Sequence, residues 1–121
     1  MRECCFGLLV IVLSKSYYSF LCEKFEFTES DIHTIKQHVF MNEYMLDGEI
    51  KRFDPDYDIA ESWRRLIDGK DIREMDIVLL RHELLEYQHM SQGMVYTEAH
   101  KLAEIRYNYS NFSVARCEIV T

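Results

Sequence analysis

Apolar residues recur with the period of an α-helix in four stretches of the chain. The first stretch begins after Thr28, a suitable N-cap residue, and should end before the Asp47-Gly48 turn. Its apolar positions are three, four and then one residue apart: Ile32, Ile35, Val39 and Phe40. Residues 49–53 could then form a short strand or part of a hairpin before the turn around Pro55.

Three more helices are predicted after this turn. The second covers about Asp58–Gly69, and Asp71 and Glu74 have the capping-box spacing that would begin the third. Gly93 suits the left-handed cap of the third helix, and Thr97 can cap the fourth. The positions expected to face inward are Ile59, Trp63, Leu66 and Ile67 in the second helix and Ala99, Leu102 and Ala103 in the fourth. The pattern predicts a mainly α, single-domain bundle of about four helices, with one short hairpin or strand near 49–53.

Length and composition fit one such domain. The 121 residues are 48% hydrophobic, and 4 glycines with 1 proline leave little material for a many-turned β architecture. We divide the chain into an apolar N-terminal segment, 1–24, and a single mainly helical domain, 25–121. Because Lys15 interrupts the apolar run, no stable membrane insertion is expected. A buried strand or core helix, a weak membrane anchor and a fragment that has lost its upstream context all remain open for this segment.

Charge and cysteine content restrict the class of protein. Lys and Arg number 14 against 21 Asp and Glu, so the formal net charge is -7. This disfavours broad, nonspecific binding of phosphate backbones, although a metal ion or a local basic patch would still allow an acidic protein to act on nucleic acid. The 4 cysteines form no CxxC motif, which predicts reduced thiols in a cytoplasmic protein, with a terminal disulfide framework as the alternative.

The third helix carries polar residues on the face that it should turn toward the core. On a helical wheel, His82, Glu86 and His89 lie on one stripe with apolar residues. Those apolar residues are Met75, Val78, Leu79 and Leu85. Burying an unpaired imidazole or carboxylate is costly, so the polar side chains must be paired, bound to a ligand, or exposed to a cleft.

Two kinds of chemistry fit this helix. His82 and Glu86 are one turn apart and can reach a common point, so together with His89 they are candidate ligands for a divalent metal such as Zn²⁺ or Mn²⁺. Without a metal, His82 and Glu86 or Glu83 form an acid–base pair, which His100 of the next helix could join. A zinc-peptidase signature would have histidine where Glu86 stands, which argues against a metallopeptidase. A buried His–Glu pair can also serve only to fix helix register.

The polar residues outside this helix carry weaker signals. His33 and His38 do not share a helical face, and we interpret both as surface or rim residues. Arg64 and Arg65 could contact phosphate, although salt bridges to neighbouring acids are the favoured interpretation.

Three motifs in a fixed order suggest a family. They are S-W-x-R-L, D-I-x-L-L-x-H-E-x-x-E, and Y-x-x-A-H with a closing Y-N-Y. The region from Phe27 to about Tyr109 resembles the small C-terminal domain of phage minor head (Mu F-like, head-morphogenesis) proteins and of related polymorphic-toxin-like proteins of Gram-positive bacteria. The motif positions in this chain are Ser62, Trp63, Arg65, His82, Glu83, Glu86, Tyr96, His100, Tyr107 and Asn108. The first 24 residues do not take part in the resemblance.

The resemblance implies a delivered effector domain that acts as a nuclease-like hydrolase with a His/Glu site. The catalytic candidates are His82, Glu83, Glu86 and His100. The candidates for contact with substrate are Arg65, Tyr96, Tyr107 and Asn108. The implied partners are phage head proteins or an immunity protein, with nucleic acid as a substrate and a cytoplasmic or virion-associated location. The alternative is a non-enzymatic phage structural or interaction module.

Overall fold

The computed structural model describes residues 27–111, which form four α-helices and one β-hairpin. The helices are α1 (Glu29–Lys36), α2 (Tyr57–Asp68), α3 (Glu74–Ser91) and α4 (Tyr96–Arg106). A π-helical turn, Gln37–Met41, continues α1, and a 3-10 turn, Tyr109–Asn111, follows α4. The predicted mainly α bundle is therefore confirmed. The apolar segment 1–24 and the four cysteines lie outside the described residues.

The hairpin connects α1 to α2. Strand β1 (Tyr44–Leu46) pairs antiparallel with β2 (Glu49–Lys51), with Leu46 opposite Glu49. Asp47 and Gly48 between them have φ values of 52° and 86°, which suits a two-residue hairpin turn. The first helical segment thus ends at Met41 rather than just before Asp47, because residues 44–46 pair as a strand.

Local capping explains where α1 and α2 begin and where α2 ends. The Thr28 hydroxyl accepts a hydrogen bond from the Asp31 backbone N–H at 2.9 Å, and the Asp31 carboxylate accepts one from the Thr28 N–H at 3.0 Å. Asp56 accepts a bond from the Ile59 N–H at the start of α2, and Gly69 ends α2 with a left-handed φ of 69°. The predicted boundaries at Thr28 and Gly69 are confirmed.

The ends of α3 are capped differently from each other. Arg73 is the N-cap residue, and its N–H donates to the Asp76 carboxylate at 2.9 Å. The predicted capping box at residues 71 and 74 is wrong, because Asp71 lies before the helix with a φ of 57°. At the other end, Gly93 has a φ of 103°, and the Met94 N–H bonds the His89 carbonyl, as in a Schellman cap. The predicted role of Gly93 is confirmed.

Helix α4 begins two residues earlier than expected. Its N-cap is Val95, and Thr97 lies inside the first turn, so the prediction that Thr97 caps this helix is wrong. Ala99 and Ala103 are fully buried as predicted, whereas Leu102 is 39% exposed. Small residues on the buried face let α4 lie close to α3.

Helix α3 is central, because α1, α2 and α4 all contact it. Ile77 and Leu80 join the main core, which also contains Ile32 and Ile35 of α1 and Trp63 of α2. The predicted stripe on α3 is only partly confirmed. Met75 and Leu79 are buried, whereas Val78 and Leu85 are half-buried. A helix surrounded on several sides buries more than one face, so a single apolar stripe does not describe it.

None of the helices within residues 27–111 has the length and apolar character needed to cross a membrane.

Candidate functional site

Glu86 of α3 stands at the centre of a group of ionisable side chains. Its Oε1 atom accepts a hydrogen bond from His38 Nε2 at 2.7 Å, and its Oε2 atom accepts one from His100 Nδ1 at 2.8 Å. His82 Nε2 lies 3.4 Å from the same Oε2 atom. We call this group the Glu86 cluster, and its members are His38, His82, Glu83, Glu86 and His100. Three separate elements bring it together: the π-helical turn, α3 and α4.

His38 holds the Glu86 carboxylate through a chain of hydrogen bonds. Tyr44 Oη accepts a hydrogen bond from the Asn42 side-chain amide at 3.0 Å and lies 2.7 Å from His38 Nδ1. If the tyrosine hydroxyl donates its proton to Nδ1, the neutral imidazole presents Nε2–H to Glu86. This chain of hydrogen bonds holds one oxygen of the Glu86 carboxylate and leaves the other for His82 and His100. His38 lies in a π-helical turn, an irregularity that is frequent at functional sites.

His82 is oriented by the backbone beyond α4. Its Nδ1 atom lies 2.9 Å from the carbonyl oxygen of Tyr107, and a carbonyl can only accept, so Nδ1 carries a proton. The other ring nitrogen, Nε2, faces Glu86 at 3.4 Å and Glu83 at 3.9 Å. Glu104 of α4 lies 3.4 Å from Nδ1. His82 thus directs Nε2 at the carboxylates, either as a proton donor or as a lone pair.

Burial, hydrogen bonds and close charges shift the pKa values of His82, Glu83 and Glu86. Burial disfavours a charge on His82, but the hydrogen bond to Glu86 and the charge of Glu83 outweigh it and raise the pKa of His82 to about 9. Burial also opposes ionisation of Glu86, yet hydrogen bonds from three histidines hold its pKa well below the usual value. Burial and the neighbouring charge of Glu86 raise the pKa of Glu83. Glu86 is therefore the more readily ionised of the two carboxyl groups, and Glu83 the more readily protonated one.

The cluster borders an open cleft of about 630 Å³ between the hairpin, α3 and α4. His82 and Glu86 are each 2% exposed at its inner end, whereas the His100 side chain is 43% exposed. Tyr96 lines the cleft beside His100, with ring centroids 5.4 Å apart. Acidic residues predominate among the other charged residues of the lining: Asp47, Asp54, Asp56 and Glu104 against Lys51 and Arg52. A small molecule or an exposed polymer end can therefore reach the cluster through an acidic cleft.

The four predicted catalytic residues lie together in this cluster, but His89 does not join them. His82, Glu86 and His100 offer ligand atoms that all lie within 4.8 Å of one another. Within residues 27–111, no such group of potential metal ligands includes His89. His89 follows Glu86 by three residues, and its carbonyl takes part in the cap of α3.

The predicted substrate-binding residues are dispersed, and only Tyr96 lines the cleft. Arg65 instead forms a two-pronged salt bridge with Asp76 at 2.7 and 2.8 Å. Tyr107 contributes its backbone carbonyl to His82, and Asn108 is exposed and accepts a bond from a neighbouring serine hydroxyl.

The interpretation of His38 as a surface or rim residue is wrong, because its side chain is completely buried. It is covered by Tyr44 of the hairpin and Tyr87 of α3, which contact its ring at centroid distances of 5.2 and 5.7 Å. The sequence signal that could have indicated its burial is its position three residues after Ile35, beside the apolar stripe of α1. His33 is exposed, as predicted.

Comparisons with protein-family models, curated proteins and solved structures found no match to this chain.

Proposed function

We propose that this domain is a hydrolytic effector of the phage or toxin type and that the Glu86 cluster is its reaction site. The observation that supports it is the convergence of three histidines and two glutamates beside an open cleft. One His–Glu pair is enough to fix the register of two helices. Five ionisable groups beside a cleft, with the pKa values of His82, Glu83 and Glu86 displaced, are typical of sites that move protons or bind ions.

The roles of the residues follow from their positions. Hydrolysis requires a group that removes a proton from water and a group that stabilises developing charge. His100 is the most exposed histidine of the cluster, and Glu86 holds it by a 2.8 Å hydrogen bond. Glu86 thus positions His100 toward the cleft. His82 and Glu83 lie next to Glu86 in the lining of the same cleft.

The nuclease-like reaction and the partners, phage head proteins or an immunity protein, come from the motif resemblance described above. Lys51 and Arg52 are the basic residues of the cleft lining, where they lie among the acidic residues of the same cleft. The competing function is a non-enzymatic phage structural or interaction module. Both oxygens of Glu86 are hydrogen-bonded within the protein, which would suit a cluster that only locks the packing of the helices.

The two functions are separated by expressing the full chain from a tightly controlled promoter in a bacterial host. We expect wild type to arrest growth and Glu86→Gln not to, because the neutral amide no longer orients the histidines. His89→Asn is the matched control, since it alters a histidine of the same helix outside the cluster, and it should arrest growth like wild type. Fragmented DNA or RNA in arrested cells would identify a nuclease.

Folding must be shown to be equal before growth is interpreted. Circular dichroism and the fluorescence of Trp63 provide this check. His100→Asn is a second test variant, because the half-exposed His100 can be replaced with less risk to folding than the buried Glu86. The effector function would be contradicted if soluble wild type did not arrest growth. It would also be contradicted if the folded variants Glu86→Gln and His100→Asn arrested growth as strongly as wild type at equal soluble levels.

A further inference from the structure

We infer that the Glu86 cluster binds one divalent first-row transition-metal ion, with His82, Glu86 and His100 as ligands and Zn²⁺ as the best-fitting ion. This goes beyond the proposed hydrolysis, which acid–base chemistry alone could perform. The three ligand atoms lie within 4.8 Å of one another, close enough to share one ion. Two imidazoles and one carboxylate are a common ligand set of catalytic zinc sites, which keep a further position for water.

The orientation of His82 supports ligation. Metal-bound histidines usually donate their other ring N–H to a carbonyl or carboxylate, which fixes the tautomer. His82 does this with the Tyr107 carbonyl at 2.9 Å, so its neutral form directs the Nε2 lone pair at Glu86. An ion at this point would take the place of the proton that His82 otherwise holds there.

Glu86 is supported in the same manner. His38 donates to its Oε1 atom at 2.7 Å, and the Oε2 atom remains directed toward His82 and His100. Carboxylate ligands of metal ions are commonly held by such an additional hydrogen bond. The second compact group, His38 with Glu83 and Glu86, is buried throughout. His38 uses both ring nitrogens in hydrogen bonds, so we assign it a supporting role and not a ligand role.

Access and charge also favour a cation at this place. The His100 side chain is 43% exposed at the cleft, so an ion and a water molecule can enter from that side. The acidic residues of the lining create a negative potential, which attracts cations and would repel a polyanionic substrate. A bound ion would reduce this repulsion, and it would supply a water molecule of lowered pKa and a centre that polarises the scissile bond.

The test uses the purified full chain, stripped of metal with a chelator and titrated with Zn²⁺ by calorimetry and equilibrium dialysis. We expect one ion per chain and a rise in melting temperature that chelator reverses. His100→Asn should weaken binding at least tenfold, while His89→Asn should bind like wild type. Substitution with Co²⁺ should give visible absorption bands without thiolate charge transfer, which separates this site from binding by the cysteines.

Each result decides the inference. No stoichiometric binding by wild type, or equal affinity in folded His100→Asn and wild type, would overturn the metal site. Thiolate charge transfer that persists in His100→Asn would overturn it too, since the ion would then be bound by cysteine. Growth arrest is measured separately. If the purified protein binds no metal but its expression still arrests growth, the metal site is overturned and the proposed hydrolysis is not.

Discussion

Removing one partner of the salt bridge between Arg65 and Asp76 should be among the most destabilising single substitutions of a polar residue in this fold. Arg65 Nε and one terminal guanidinium nitrogen donate to the two oxygens of Asp76 at 2.8 and 2.7 Å. The Asp76 side chain is 0% exposed and that of Arg65 12% exposed. The pair joins α2 to the first turn of α3, so it fixes the position of the helix that carries Glu86.

Replacing Arg65 by alanine leaves a buried carboxylate without its charged partner. Removing one member of a buried pair costs about 3–5 kcal/mol, and the partial exposure of Arg65 places our expectation near 3 kcal/mol. The neighbouring Arg64 provides the control. Its side chain is 50% exposed and pairs with Glu61 and Asp68 on the surface of α2. Arg64→Ala should therefore cost no more than about 1 kcal/mol.

Urea denaturation followed by fluorescence measures both variants, since the chain has 1 tryptophan and Trp63 is only 2% exposed. With an m-value of about 1.5 kcal/mol/M, a loss of about 3 kcal/mol lowers the unfolding midpoint by about 2 M. Equal midpoints for the two variants at unchanged m-value would refute the reasoning. The buried pair would then contribute no more to the free energy of unfolding than the exposed pairs of Arg64 do.

Two further substitutions test the support of the site and the first helix cap. His38→Asn should lower the free energy of unfolding by about 1–3 kcal/mol in urea denaturation, because Glu86 and the Tyr44 hydroxyl lose a buried partner. His33→Asn on the exposed side of α1 should stay within about 0.5 kcal/mol of wild type, and a similar loss in both variants would contradict the burial argument. Thr28→Ala should cost about 1 kcal/mol by thermal denaturation, as loss of an N-cap does. Thr97→Ala, at an exposed helical position, should cost clearly less, and the reverse order would refute the assignment of the caps.

Much of the fold was readable from local sequence. Thr28, Gly69 and Gly93 mark helix ends through their own side chains or backbone freedom, and these signals need no distant residue. The N-terminus of α3 was placed wrongly because Asp76, three residues beyond the true cap, accepts the bond that Asp71 and Glu74 were expected to make. A capping motif can be shifted by a few residues when several acids lie close together.

Most of the site was also predicted from the sequence. His82 and Glu86 share one face of one helix, so their proximity follows from helical geometry alone, and the cost of burying them indicated a site. His100 was a candidate partner because it lies near the start of the next helix and could reach across the groove between the two helices. The wheel also included His89, because it could not show how far along α3 the cleft extends.

The sequence by itself determined the helical bundle, its main boundaries and the His82–Glu86 pair, since these depend on residues within one or two turns of each other. Only the tertiary structure decided that His38 completes the cluster and that the salt bridge favoured for Arg65 is made to the buried Asp76. His38 and Glu86 are 48 residues apart, and Arg65 and Asp76 belong to different helices. Which polar groups are buried together depends on how the hairpin and helices pack, and periodicity along one element does not contain that information.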